Sequence, residues 1–283
     1  MPKPTTPPPS SSNETALVPS TLDMPVVGIG ASAGGLEALI RFFEGMPPEP
    51  GMAFAVILHL SPEHQSNAAE ILQRATSMPV TQVTQVLPIR ADHVYVIPPG
   101  VELMMNDGHL QPVASERIKG RHVAVDVFFR TMAEVHDRRA ICVVMSGTGS
   151  DGAVGLTRVK ENGGLAVAQL PEDAVHDGMP RAAIGTGMVD IVLPAAEMGQ
   201  RLVEHWRNAK RIRLPGANEP AAAGQEPGGQ AAAALAEEAL QEIMALLRTY
   251  TRHDFRHYKR ATVLRRIERR LQVNRLADLP AYR

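Results

Sequence analysis

The chain has a single cysteine, Cys142, in 283 residues. No disulfide can close within it, and nothing in it points to an oxidising compartment. The cysteine lies in the apolar run AICVVM, where a small packed hydrophobe is expected rather than a reactive thiol. Long hydrophobic runs are also missing. None approaches the roughly 18 residues of a membrane span, and the N-terminus lacks an apolar signal region. The expectation is a cytoplasmic protein without membrane insertion. Net charge is close to absent, at −1, which excludes attraction of the whole chain to polyanions. That total conceals an asymmetry, because from Arg248 to Arg283 eleven Lys/Arg face three Asp/Glu. The two ends of the chain therefore differ in kind.

What is present divides the chain into four parts. Residues 1–23 are rich in Pro, Ser and Thr and are expected to form a disordered tail. Residues 24–208 carry short apolar runs, PVVGIG, AFAVILHL, HVYVIPP, AICVVMS, GLAVAQ and VDIVLP. Each is too short for a helix and suits a strand buried on both faces. Between them GLEALIRFFEGM, SNAAEILQRATS, VDVFFRTMAEVHDR and DGAVGLTRVKENG repeat apolar residues every three to four positions, as crossover helices do. The fold class is therefore α/β, a doubly wound, mainly parallel, Rossmann-like sheet. NDG between two extended runs predicts an antiparallel hairpin at one edge of that sheet. Residues 209–230 read as a linker, and 231–283 as a small helical segment with Val263, Leu264, Ile267 and Leu271 along one face.

The turn VVGIGASAGGLEAL fits two patterns. Gly28, Gly30 and Ala33 satisfy a dinucleotide fingerprint, and Gly30, Ser32 and Gly34 a nucleophile elbow. A dinucleotide site needs an acid after the second strand to hold the ribose hydroxyls. The second run, AFAVILHL, is continued there by His59, which disfavours an oxidoreductase. For a hydrolase His59 is well placed, because ligands collect outside the carboxyl ends of strands near a switch point. A serine hydroxyl needs a base, and the base a carboxylate that fixes its tautomer. Asp151 in VVMSGTGSDG follows a third buried run, and Gly147, Gly149 and Gly152 would let backbone amides approach an oxyanion.

Each residue also has a plainer reading: Ser32 as the cap of the following helix, His59 as a loop histidine, Asp151 as the cap of the helix after it. The conjunction at three strand ends favours chemistry. His64, His93, His109, His122 and His176 could stand in for His59 but do not directly follow a buried run. No cluster has metal-ligand spacing, and neither a cofactor nor a metal is expected.

These residues resemble the catalytic domain of the chemotaxis protein-glutamate methylesterases, the CheB family. GIGASAGGLEAL is similar to its serine turn, ILHLSPEH to its histidine segment, IPPG and VDVFF to its middle landmarks, MSGTGSDGAVGL to its aspartate loop and PEDAVHDGMPRAAI to its late signature. The resemblance implies Ser32 as nucleophile, His59 as general base and Asp151 as orienting acid, with the backbone amides of His59 and Thr148 holding the oxyanion. It implies hydrolysis of glutamate γ-methyl esters, and deamidation of glutamines, on cytoplasmic helices of methyl-accepting chemotaxis receptors. A histidine kinase or response regulator is a further implied partner.

Ala33 and Thr148 stand where many members have threonine and methionine. Residues 1–23 are no counterpart of the usual receiver domain, so control by phosphorylation within this chain is not expected. YKRATVLRRIERRLQVNRLADLPAYR resembles the start of the helical N-terminal domain of the CheR receptor methyltransferases, as in a truncated CheB/CheR fusion. Its basic helix reads as a solvated face or a surface for acidic receptor helices. A nucleic-acid partner is not expected, because no groove-reading motif accompanies the charge. The competing function, from another class, is a non-catalytic adaptor that docks on receptors or kinases, and the complete Ser, His, Asp set argues against it.

Overall fold

The computed structural model describes residues 16–59, 66–114, 123–209 and 227–282, apart from 256, 257, 259, 275 and 277. The main sheet is built from β1 (Val26–Ala31), β2 (Ala53–Leu58), β3 (Val80–Gln82), β5 (His93–Val96), β8 (Ala140–Val144), β9 (Leu165–Gln169) and β10 (Ile191–Leu193). Their order is β10-β9-β8-β1-β2-β5-β3, and every pairing recorded in this sheet is parallel. β1, β2, β8 and β9 are buried at every residue, which is why their sequences are continuously apolar rather than alternating. The order reverses at β1, with β2 on one side and β8 on the other.

The helices cover both faces. α1 (Gly35–Glu44) buries Ala38, Leu39, Phe42 and Phe43, and Phe42 and Phe43 meet Phe54 of β2 edge to face. α6 (Ala195–Ala209) packs beside α1, its Gly199 drawn close to the Phe42 carbonyl. α3 (Ala124–His136) buries Phe128, Phe129 and Met132, all of which lie against Gly28 of β1. α4 (Ala153–Glu161) follows β8, α5 (Gly178–Gly185) follows β9, and α2 (Ala68–Ala75) follows β2.

Two expectations need correction. The NDG hairpin exists as β6 (Val101–Asn106) and β7 (His109–Ala114), with Asp107 and Gly108 at positive φ. It does not sit at an edge of the main sheet. It forms a separate antiparallel sheet with β4 (Leu87–Pro88), in which β7 is paired on one side by β6 and on the other by β4. The second correction concerns the N-terminal tail. Residues 1–15 lie outside the described residues, but 16–23 pack on the domain. Leu17 and Leu22 join the core, the Ser20 amide donates to Val135 O at 2.7 Å, and the Val18 amide donates to Asn106 Oδ1 at 2.7 Å.

Most of the expected linker, residues 210–226, lies outside the described residues, and α7 (Pro227–Thr251) begins before residue 231. α7 and α8 (Arg260–Val273) share a small core of Ala239, Leu240, Ile243, Leu264, Ile267, Leu271 and Leu279. The buried face of α8 agrees with its 3.6-residue period, and Arg260 pairs with Glu237 across the two helices. α8 is seated on α6: Arg201 Nη2 donates to Val273 O at 2.6 Å and Asn208 Nδ2 to Leu276 O at 3.2 Å. Among the described residues no helix is long and apolar enough to cross a membrane.

Candidate active site

The register of the central strands assembles the site. Ala31 pairs with Leu58 at the ends of β1 and β2, so Ser32 and His59 leave adjacent strands at the same level. Neighbouring strands are about 4.8 Å apart. On the other side of β1, the Ser32 amide donates to Ser146 O at 2.9 Å, and the chain beyond β8 carries Asp151. The three residues thus leave β2, β1 and β8, adjacent strands at the switch point.

Asp151 is 8% exposed and does not cap α4, whose cap position is Gly152 without a side-chain bond. Its Oδ2 instead accepts from His59 Nε2 at 2.7 Å and from the Val125 amide at 3.0 Å, while Oδ1 accepts from the Asp126 amide at 2.9 Å. Two first-turn amides of α3 therefore face this carboxylate, and the positive end of the helix favours its charge. A carboxylate oxygen only accepts, so this contact is made by a His59 ring that carries its proton on Nε2. Ser32 is not a helix cap either. The α1 cap position is Gly34, which has positive φ and makes no side-chain cap bond.

The glycines of the dinucleotide pattern serve packing. A methyl group on Gly30 would lie 2.2 Å from Val125 Cγ1, and one on Gly28 2.9 Å from Phe128 Cε1. They bring α3, with its N-terminal amides, against β1. The two amides expected at an oxyanion differ: that of His59 donates to Ala31 O at 3.3 Å, whereas Thr148 lies in an exposed loop. Of the rival histidines, His93 and His109 bond to Ala91 O at 2.8 Å and Asp107 O at 2.7 Å through Nδ1. His64 and His122 lie outside the described residues. Cys142 is buried in β8 with Sγ 3.5 Å from Leu165 O.

Sequence reasoning did not single out two groups. Asp126 Oδ1 accepts from the Gly155 amide at 2.7 Å, and burial, reinforced by the neighbouring charge of Asp151, pushes its carboxyl up to about 6. Behind the serine turn, Ser146 Oγ donates to Ala33 O at 2.9 Å and accepts from the His176 amide at 3.0 Å. The Ser146 amide donates to Gln169 Oε1 at 2.8 Å, and Gln169 Nε2 donates to Asp173 Oδ2 at 2.7 Å. Asp173 pairs with Arg41 of α1 at 2.6 Å. The available signals were an acid in the first turn of a helix and a polar residue ending the run GLAVAQ.

Ser32, His59 and Asp151 thus leave three neighbouring strands at the switch point of a doubly wound α/β sheet, residue types that can serve as nucleophile, base and orienting acid. Residues 27–202 match the model of the CheB methylesterase family, and 238–283 that of the CheR methyltransferase all-alpha domain. The chain belongs to the CheB methylesterase family.

An uncharacterized 104.1 kDa protein of Rhodobacter capsulatus is 37% identical over 227 residues, covering 76% of this chain and 23% of that protein. A protein-glutamate methylesterase/protein-glutamine glutaminase of Geobacillus kaustophilus is 33% identical over 184 residues, covering 63% and 53%. The chain thus spans about a quarter of one relative and about half of the other. The crystal structure of the Thermotoga maritima CheB methylesterase catalytic domain superposes with a TM-score of 0.60 at 27% identity, covering 65% of this chain and 99% of that one.

Proposed function

We propose that the chain hydrolyses glutamate γ-methyl esters on the helices of chemotaxis receptors, and deamidates glutamines there, with Ser32 as nucleophile, His59 as general base and Asp151 as the group that orients it. The observation that carries this reading is the 2.7 Å bond from His59 Nε2 to Asp151, on strands adjacent to and in register with the one that ends at Ser32. His59 Nδ1 takes the proton as Ser32 Oγ adds to the ester carbonyl. It returns the proton to the departing methoxide, and methanol leaves. Water activated by the same base then cleaves the acyl-enzyme.

The Thr148 amide is the principal oxyanion donor in this scheme, since that of His59 must be shared with Ala31 O. Deamidation follows the same path with ammonia as the leaving group. The test is methanol release from a helical peptide carrying γ-methyl glutamate, comparing wild type with Ser32→Ala. Release that depends on Ser32 supports the reading. Equal release from both proteins, or none from the folded wild type, overturns it.

A further inference from the structure

Asp126 and Asp151 are arranged reciprocally. Asp151, one residue before the cap of α4, accepts the first-turn amides of α3. Asp126, in the first turn of α3, accepts the amide of Gly155 in the first turn of α4. The helices approach closely enough for this only because Gly155 has no side chain: a methyl group there would lie 2.7 Å from Phe129 Cβ and 2.9 Å from Asp126 O. The Asp126 carboxylate therefore ties down α4 immediately behind the loop that presents Asp151 to His59.

An asparagine could accept the same amide without a buried charge, and as a plain cap it would serve as well. The carboxylate is held instead in a half-buried place beside a second carboxylate, where desolvation and then the charge of Asp151 raise it to about 6 despite bonds from the Gly155 and Gly152 amides. Negative charge in that position favours positive charge on His59, which forms when the base takes a proton.

We propose that Asp126 is a positioning residue: it clamps the Asp151 loop through Gly155 and adds a second negative charge behind Asp151 that supports the imidazolium of His59. The inference rests on the catalytic reading of Ser32, His59 and Asp151. The charged group that acts on Asp126 is Asp151, from the loop after β8, and Asp151 in turn bonds to His59 from the end of β2. The first turn of α4 brings no acidic or basic side chain. As pH falls through about 6, Asp126 takes up a proton and its support is lost.

The experiment measures Ser32-dependent methanol release from a peptide carrying γ-methyl glutamate, between pH 5 and 9, for wild type, Asp126→Asn and Asp126→Ala. It is paired with 15N NMR of the His59 ring in each. Asp126→Asn is expected to lower kcat about tenfold with KM within twofold, to lose one ionisation near pH 6 from the acid limb, and to keep the proton on Nε2. Asp126→Ala is expected to give a mixture of ring tautomers as well.

Thermal melting of Asp126→Asn no lower than wild type separates a lost charge from a lost fold. Wild-type kcat and an unchanged pH profile in Asp126→Asn overturn the proposal while leaving the esterase reading intact. If the folded wild type releases no methanol, it is the esterase reading that fails. The NMR then still judges the clamp: mixed tautomers in Asp126→Ala support it, and an unchanged ring overturns it.

Discussion

At the carboxyl edge of the main sheet His59 Nε2 meets the carboxylate of Asp151, whereas at the amino edge His136 Nε2 donates to the carbonyl of Met24 at 2.8 Å. His136 is almost fully buried, and burial pulls its imidazole down to about 4. It is a neutral strut between α3 and the segment that leads into β1. A carbonyl dipole fixes a ring but gives little support to a positive charge, so His136 cannot exchange protons usefully near neutrality. A carboxylate does both, which is the partner that the proposed role of His59 as a base requires.

The comparison breaks most visibly through function. Ser32→Ala and Asp151→Asn are each expected to lower kcat for methanol release by about a thousandfold or more, while His136→Gln leaves kcat within twofold. A large loss of kcat in a folded His136→Gln protein would erase the distinction between the two edges.

Stability against pH sharpens it. The folded value of His136 lies below its ordinary 6.5, so its contribution to stability is present above 6.5 and is lost as pH falls toward 4. The folded value of Asp126 lies above its ordinary 3.8, so its contribution is complete below 3.8 and is lost as pH rises through about 6. The two edges therefore pull in opposite directions between about pH 4 and 6. His136→Gln should remove an acid-side loss of about 2 kcal/mol. Asp126→Asn should gain about 1 kcal/mol relative to wild type at pH 7, after allowance for solvent screening. Urea unfolding at pH 4.5, 5.5 and 7 measures both differences, and equal differences at all three values contradict the assignment.

The smallest effect belongs to the seat of α8. Arg201→Ala removes the bond to Val273 O and should weaken the seat by about 1 kcal/mol. Hydrogen exchange of the α8 amides should become faster while kcat stays unchanged.

Much of this arrangement can be read from the amino acids in order. Strands β1, β2, β5, β8, β9 and β10 lie in apolar runs, and Ser32, His59 and Asp151 each follow such a run. Local sequence therefore carries both the strand and the position just beyond its end. β3 was not legible, because VTQ is short and half polar and gains its place by pairing with β5 and by the bond of the Val80 amide to Gln73 Oε1. Leu17 and Leu22 were obscured by the Pro and Ser around them. Their partners are the hairpin and α3, far along the chain.

The same distance hides Asp126, Gln169 and Arg41. Asp126 and Gly155 are 29 residues apart, Gln169 and Ser146 23, and Arg41 and Asp173 132. Roles fixed by such partners leave no local pattern. The glycine turn was ambiguous for a different reason, since thin backbone suits a phosphate and a helix equally well. Only the contacts of Val125 and Phe128 with Gly30 and Gly28 show which one is there.

α6 runs from the end of the strands that carries Ser32, where the Ala195 amide bonds to Asp173, to the far side, where Asn208 holds Leu276. The helical unit is thus hung from the base of the sheet, on the side away from Ser32. The mounting works as a rear bracket, with Glu268 of α8 paired to Arg138 at the far end of the strands. The bulk of α8 is therefore carried at the opposite end of the strands from Ser32.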